Sequence, residues 1–580
     1  MSKRNIFNRV PIRRIKRSPF DLSHKVLTTM SMGVLYPVGT PLMCIPGDKI
    51  KLGHQIVTHA NPMNAPAFVD CSIYFMDFFV AFRNLYKDEH LWERFIANEK
   101  LGNGDTPVLP RMNITDQHGI SGELRSKYSD YDTLWDYFGF QTGCHPEGTS
   151  APLDAPWRAY WQIWNEFIRD EKLQEAVDWD INMTDYTATI HTAQKLIKPA
   201  RVNYGRDYFT SAFLTPQQGD AVALPLSGYA PIIGDPFLYS HIEGHGTSPI
   251  DPDMYYTVGR LRFGAEGSSA PANTNLLVQS NQDSINVGVS SEPFNNGFIH
   301  LPSQDSFDGK HVNGYNGDPL VADLSAASSY DINDLRLANA NQRWKEINNL
   351  CGTRYTEFLR AQYGVAPRDE RLQRPEYIGG TKAPLIVSQV LQTSNSDTET
   401  SPTGTKYGQG MIASADYSGT YRVKEHGLIM TVAFIRPKTL YQDGIAREWT
   451  PKTYLDFMNP LFCGLGEQGI KNGEVFAVDS ETENNKIWGF ESMYQEYRYK
   501  QDRVTGKMRS NITGGMNNSF DYWHLGRHFD SLPNLNGEFI TCNPSSRIFT
   551  ARDTEVQYLC EIGQIIKAVR PLPYYAMPHL

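Results

Sequence analysis

This chain is poor in everything that marks a membrane span, a disulfide scaffold or a familiar catalytic core. No apolar run approaches the roughly 20 residues needed to cross a bilayer. The nearest, Phe68 to Phe82, is broken by Asp70 and Asp77. The basic N-terminus lacks a following apolar segment, so neither a signal peptide nor membrane insertion is expected. Only seven cysteines occur in 580 residues (Cys44, Cys71, Cys144, Cys351, Cys463, Cys542 and Cys560). No two form a C-x-x-C pair, their number is odd and their spacing is wide. That argues against a disulfide framework or a zinc site and for free, mostly buried thiols in a protein made in a reducing cytoplasm. Nucleophile elbow, P-loop, H-E-x-x-H and dinucleotide fingerprints are all missing, so no catalytic residue, metal or cofactor is expected. The net charge of −9 excludes the uniformly basic surface of a general nucleic-acid binder.

Acidic residues are missing from one place in particular. Between Met1 and Ser18 stand seven cations, Lys3, Arg4, Arg9, Arg13, Arg14, Lys16 and Arg17, and no acid. Residues 1–20 read as an arm that does not fold alone. Mobile cations suit phosphate neutralisation, which needs no base contacts, so these seven are the candidate nucleic-acid contacts. Ile6, Phe7, Ile12 and Ile15 interleave with them and could anchor the arm under a neighbouring subunit. A merely solvated tail is the plain alternative.

Hydrophobic patterning then places the elements. Phe68 to Arg83 is apolar on both faces, as a strand covered on both sides would be. Asp154-Ala155-Pro156 opens a helix whose stripe is Trp157, Tyr160, Trp161, Trp164, Phe167 and Ile168, read as core or subunit packing rather than a base-stacking surface. Asp331 to Tyr363 reads as one long helix with Gly352 as its single glycine, and Gly364 and Pro367 mark its exit. Further strands are expected at Leu385 to Ser394, Gly427 to Arg436, Ile487 to Tyr499, Gly537 to Thr541 and Val556 to Ile566, with a helix at about Pro451 to Met458. From His241 to Leu320, Gly, Pro, Ser and Asn supply 33 of 80 residues. That richness in turn formers marks a surface excursion, bounded at about 225–327, rather than a core element. Two weak metal signals fall inside it: His241-Ile242-Glu243-Gly244-His245, and Asp305 with Asp308-Gly309. Both read as loop. No internal repeat and no second autonomous domain is visible. Periodicity alone leaves a β-sandwich and a mixed α+β fold open.

Several long words resemble the major capsid proteins of gokushoviruses, small icosahedral single-stranded-DNA bacteriophages of the Microviridae. They are Cys351-Gly352-Thr353-Arg354-Tyr355 through Tyr363-Gly364-Val365, Arg371 to Gly380, and Val390 to Ser394. Others are Phe20 to His24, Asp207 to Ala212, Pro216 to Gly219, Leu465 to Gln468, Tyr494 to Tyr499, and Asp521 to His524. Cys351 departs from an expected glycine, and Ser492-Met493 interrupt a word that is usually more polar. The resemblance implies a mainly β fold, a single eight-stranded antiparallel jelly roll of the viral capsid type with long helix-containing insertions between strands. It divides the chain into four stretches. The internal arm spans 1–20, and the N-terminal half of the jelly roll with its helical insertions spans 21–224. A protruding insertion near a threefold axis spans 225–327. A helix with the C-terminal half of the jelly roll and a tail spans 328–580. The resemblance also implies a T=1 shell of sixty copies around circular single-stranded DNA, located in the virion and assembled in the host cytoplasm. The implied partners are the chain itself, the genome, a small basic DNA-binding protein with other minor virion proteins, and a host surface receptor.

Two other classes compete. A carbohydrate-binding or carbohydrate-active β-sandwich would use loop aromatics and usually carries an export signal. A non-specific single-strand DNA-binding protein fits poorly with the acidic balance outside the arm.

Overall fold

The computed structural model describes residues 16–87, 90–99, 107–112, 129–144, 146, 148–178, 198–222, 332–391, 406–510, 519–550 and 556–575, with four short strands between 232 and 322. The chain divides into two compact units, Met1–Asp220 with Gln342–Leu580, and Ala221–Asn341.

In the first unit the strands are β1 (Ser18–Asp21), β2 (His24–Met30), β3 (Tyr36–Pro37), β4 (Leu42–Cys44), β5 (Lys49–Ala60) and β6 (Cys71–Ala81). In the second unit, β7 (Ile232–Ile233) pairs with β10 (Val321–Ala322), and β8 (Leu276–Gln279) with β9 (Ser284–Val287). The first unit resumes with β11 (Glu376–Pro384), β12 (Ile386–Leu391), β13 (Lys406–Arg422), β14 (Gly427–Pro437), β15 (Glu467–Lys471), β16 (Ile487–Ser492) and β17 (Tyr558–Arg570). Two sheets dominate it. The first runs β1-β17-β5-β13-β12, with β2 also on β17; the second runs β11-β6-β14-β3, with β4 also on β14. All these pairings are antiparallel. The fold is therefore mainly β, with helices added.

The two-faced character of β6 and β14 has a direct cause. Alternate side chains of a strand point to opposite faces. Ile73, Phe75, Ala433 and Ile435 turn toward the first sheet and pack with Ile56, Tyr558 and Ile562. Phe78, Val80, Leu428, Met430, Val432 and Phe434 turn the other way and pack under helical segments. The chief of these is Ala155–Ile163, started by Pro156 and extended by a wide turn at Trp164–Ile168. Its Trp157, Tyr160, Trp161 and Trp164 are all buried, so this aromatic stripe is core. Each fully buried large apolar side chain contributes about 1.5–3 kcal/mol.

The structure corrects several expected elements. The long helix is two, Ile332–Cys351 and Tyr355–Tyr363. Gly352 breaks it with a φ of +98°, a left-handed conformation that ends a helix. Arg354 is then held outside the helical path by Glu171 (Nε to Oε1, 2.6 Å) and by the carbonyl of Asn165 (2.7 Å). Trp344 and Leu350 of the first helix are exposed. Gly537–Ile540 is a helical turn, not a strand, because Asn536 accepts the Phe539 N–H at its start. The helix expected at Pro451 to Met458 shrinks to a single turn at Tyr454–Asp456, closed by mutual capping of Thr453 and Asp456. β16 ends at Ser492 because Tyr494 takes a φ of +60°. Asp331 lies outside the described residues, as do His241 to His245, Asp305 and Asp308.

Candidate nucleic-acid interface and assembly surfaces

Of the seven arm cations, Lys3, Arg4, Arg9, Arg13 and Arg14 lie outside the described residues, while Lys16 and Arg17 are exposed and lead into β1. Arg17 lies over Gly47, where a Cβ would stand 3.2 Å from its Nη2. β1 then pairs with the end of β17, Ser18 opposite Arg570 and Asp21 opposite Lys567.

The solvent face of the first sheet begins at this edge. In β5, Ile50 and Leu52 point inward and are buried, so Lys49 and Lys51 point outward. The register sets Lys49 between Arg422 of β13 and Val569 of β17, and Lys51 between Thr420 and Lys567. One rung further, Gly53 stands between Tyr417 and Ile565. Lys51 Nζ lies 4.9 Å from the centroid of the Tyr417 ring. Asp21 receives a hydrogen bond from Lys567 (2.6 Å). That bond, and those from Ser23, hold its carboxyl down at about 2. The chain after β17 returns here, stacking Tyr574 on Phe20 with centroids 5.4 Å apart. Phe20, Asp21, Lys49, Lys51, Tyr417 and Lys567 are among the residues lining a groove of about 720 Å³, and Arg422 stands beside it, opposite Lys49. The sequence pattern Lys49-Ile50-Lys51-Leu52 carried the signal for outward lysines. Their junction with Lys567 and Arg422 depends on pairing across hundreds of residues.

Three of the unusual words prove to be packing devices. Asp207 Oδ1 accepts the N–H groups of Phe209 (2.9 Å) and Thr210 (2.8 Å), while Oδ2 accepts the hydroxyls of Thr439 (2.6 Å) and Tyr441 (2.7 Å). Burial, followed by the Asp207 charge, pushes the Tyr441 phenol far up. Gln468 donates to Glu496 (2.6 Å), which ties together the words at 465–468 and 494–499.

Two other surfaces stand out. Between β14 and β15, Trp449, Tyr454, Leu461 and Leu465 are 80%, 82%, 84% and 65% exposed. A separate cleft of about 550 Å³ is lined by Arg206, Arg354, Arg360, Arg374 and Arg436 among others. All seven cysteines are free thiols, four of them buried. Among the described residues no cluster of three or more His, Cys, Asp or Glu could hold a metal ion, and no helix is long and apolar enough to cross a membrane.

Comparison with known proteins matches the family described as "Capsid protein (F protein)" over residues 8–580. The chain is 30% identical to capsid protein VP1 of Chlamydia phage 1, over all of this chain and 98% of that protein. It is 28% identical to capsid protein VP1 of Spiroplasma virus 4, covering 98% and 96% of the two chains. Capsid protein VP1 of Bdellovibrio phage phiMH2K is 29% identical, with 99% and 97% covered. A family match over nearly the whole length, joined to a mainly β unit with large exposed apolar side chains, agrees with the gokushovirus resemblance read from the sequence: the chain belongs to the phage capsid protein (F protein) family.

Proposed function

We propose that this chain is the major capsid subunit of a gokushovirus-type phage, sixty copies of which close into a T=1 icosahedral shell around circular single-stranded DNA. It works by assembly and transforms no substrate. The observation that carries this reading is the strand order, taken with the full-length family match. Within the six- and five-stranded antiparallel sheets run two four-strand paths, β2-β17-β5-β13 and β4-β14-β6-β11, with β1, β3 and β12 added to them. β2 lies beside β17, and every connection along these eight strands except β6 to β11 crosses between the sheets. That order supports an eight-stranded capsid jelly roll. Closed symmetry would cover the exposed apolar side chains between β14 and β15, which a lone soluble subunit leaves in water.

Residues 82–375 join β6 to β11 and contain the 225–327 stretch. We assign that stretch to a surface protrusion near the threefold axis that meets the host receptor. The basic arm faces the interior. In sixty copies the seven arm cations amount to roughly 420 charges, fewer than the phosphates of a genome of thousands of nucleotides. A small basic internal protein is therefore a natural partner, and the location is the virion.

Size-exclusion chromatography and negative-stain imaging of the expressed chain test this reading. Closed particles about 25–30 nm across are expected for sixty subunits of this size. Monodisperse single subunits that turn over a sugar, ester or nucleotide would overturn it. Deletion of 241–320 is expected to leave particles that assemble but attach poorly.

A further inference from the structure

We propose that the basic end of the first sheet's solvent face is a binding surface for single-stranded polynucleotide. In this assignment Lys49, Lys51, Arg422 and Lys567 neutralise successive backbone phosphates and the Tyr417 ring stacks a base. The inference deepens the packaging reading and rests on it.

Four cations occupy two adjacent rungs, Arg422-Lys49-Val569 and Thr420-Lys51-Lys567. Same-face neighbours are about 7 Å apart along a strand and about 5 Å apart across strands, so all four meet one short run of backbone. Asp21 is the single carboxylate lining the groove, and it is already bound to Lys567. Among the described residues Lys49, Lys51 and Arg422 have no carboxylate partner. A cationic groove with an aromatic platform beside it is the arrangement by which proteins hold single strands without reading sequence. Tyr417 supplies the platform. It is more than half exposed, its hydroxyl meets Thr420 Oγ1 at 2.5 Å, and Lys51 stands over its ring. The next rungs read Tyr417-Gly53-Ile565 and Ala415-Gln55-Gly563, so Gly53 leaves one side of the ring without a side chain on β5.

Charge decides between occupants. The arm enters the sheet at the same edge, where Lys16 and Arg17 precede β1. Another copy of this surface would bring like charge against it. A polyanion neutralises both the face and the arm, and continues from one to the other.

The test is fluorescence anisotropy of a labelled oligothymidine with the purified full-length chain, across a salt series. K49Q/K51Q is expected to weaken binding about tenfold near 0.1 M salt and to flatten the log–log salt slope by about 1.4, two contacts at ~0.7 each. Y417A is expected to cost about tenfold, a typical loss for one stacked base, while Y417F keeps the ring and binds normally. R206Q/R360Q removes equal charge from the separate arginine-lined cleft and should leave binding unchanged. Deletion of residues 2–17 reports on the arm independently. Loss of binding on arm deletion with K49Q/K51Q and Y417A unaffected overturns the face and leaves the arm reading standing. Weakening by the face variants with arm deletion silent does the reverse. If the face variants block particle formation but not oligonucleotide binding, the surface is a contact between copies and the inference fails. Equal loss in R206Q/R360Q would reduce the effect to net charge and sink it as well.

Discussion

His54 and Asp77 face each other across the gap between the two sheets, Nε2 to Oδ2 at 2.8 Å, both almost wholly buried. The same carboxylate accepts the hydroxyls of Thr431 (2.6 Å) and Ser418 (2.5 Å). Four strands, two from each sheet, therefore converge on one side chain. Removing one member of a buried charged network strands the others, at about 3–5 kcal/mol. Asp77→Ala is expected to lose that much in urea unfolding of the isolated subunit, and Asp77→Asn less. An unchanged midpoint in Asp77→Ala would show that the network does not hold the sheets.

Gly33 has a φ of +78°, and a Cβ built on it would stand 2.1 Å from the carbonyl oxygen of Cys542. Its N–H donates to Ile435 (2.8 Å) and its carbonyl accepts from Val202 (2.9 Å), so the backbone cannot move aside freely. Gly33→Ala should lower stability by about 1–3 kcal/mol through left-handed strain alone, and by more through the clash. The same change at Gly219, also at positive φ but with nothing within 4 Å, should show strain only. Comparing the two melting temperatures separates the contributions.

Burial raises the carboxyl of Glu467 to about 7, helped by Glu346 and opposed by Asn349 and Lys172. Burial and then the charge of Glu467 raise Glu491 to about 8. Both folded values exceed the ordinary 4.5. The native state therefore holds protons that the unfolded chain releases, and stability present below pH 4.5 is lost as pH rises through about 8. The melting temperature should fall between pH 5 and pH 9, and Glu491→Gln should shrink that fall while changing little at pH 5. A Glu491→Gln profile parallel to the parent would contradict the assignment.

Trp449, Tyr454 and Leu461 lie in water on the single chain. Surface substitutions away from special features change stability by within about 0.5 kcal/mol, so W449S/L461S should leave the subunit's melting curve nearly unchanged. Its effect should appear in assembly, as a loss of the particle peak in size-exclusion chromatography. Normal particles from this variant would remove the segment from the subunit contacts.

How far the sequence was legible depended on whether a signal was local. β6 and β14 could be read because a strand covered on both faces is apolar on both, and Phe68–Arg83 and Gly427–Arg436 come close to that pattern, interrupted by Asp70 and Asp77 in the one and Thr431 in the other. The burial of Trp157 and Tyr160 followed from helical spacing. Gly352 was visible, but its left-handed φ was not, so one helix was expected where two exist. Gly537–Ile540 is only one turn long, too short for periodicity to tell turn from strand, and its cap at Asn536 decided the outcome. Asp77 read as a flaw in an apolar run; its partners Ser418 and Thr431 are more than 300 residues away in the chain. The basic groove was invisible for the same reason. The arm showed as a run of charge, whereas Lys49, Arg422 and Lys567 become neighbours only through sheet register.

Among the described residues β1 and β2 pair only with β17, Ser18 opposite Arg570 and Met30 opposite Tyr558. A ribosome adding about 5–20 residues per second delivers the partner strand roughly half a minute to two minutes after the opening one. During that interval the growing polypeptide carries an unmatched hydrogen-bonding edge next to a cationic tail, in a cell crowded with sister chains in the same condition. The order of synthesis thus sets when a subunit is ready to associate: the sheet that bears the tail closes only when the last strand leaves the ribosome.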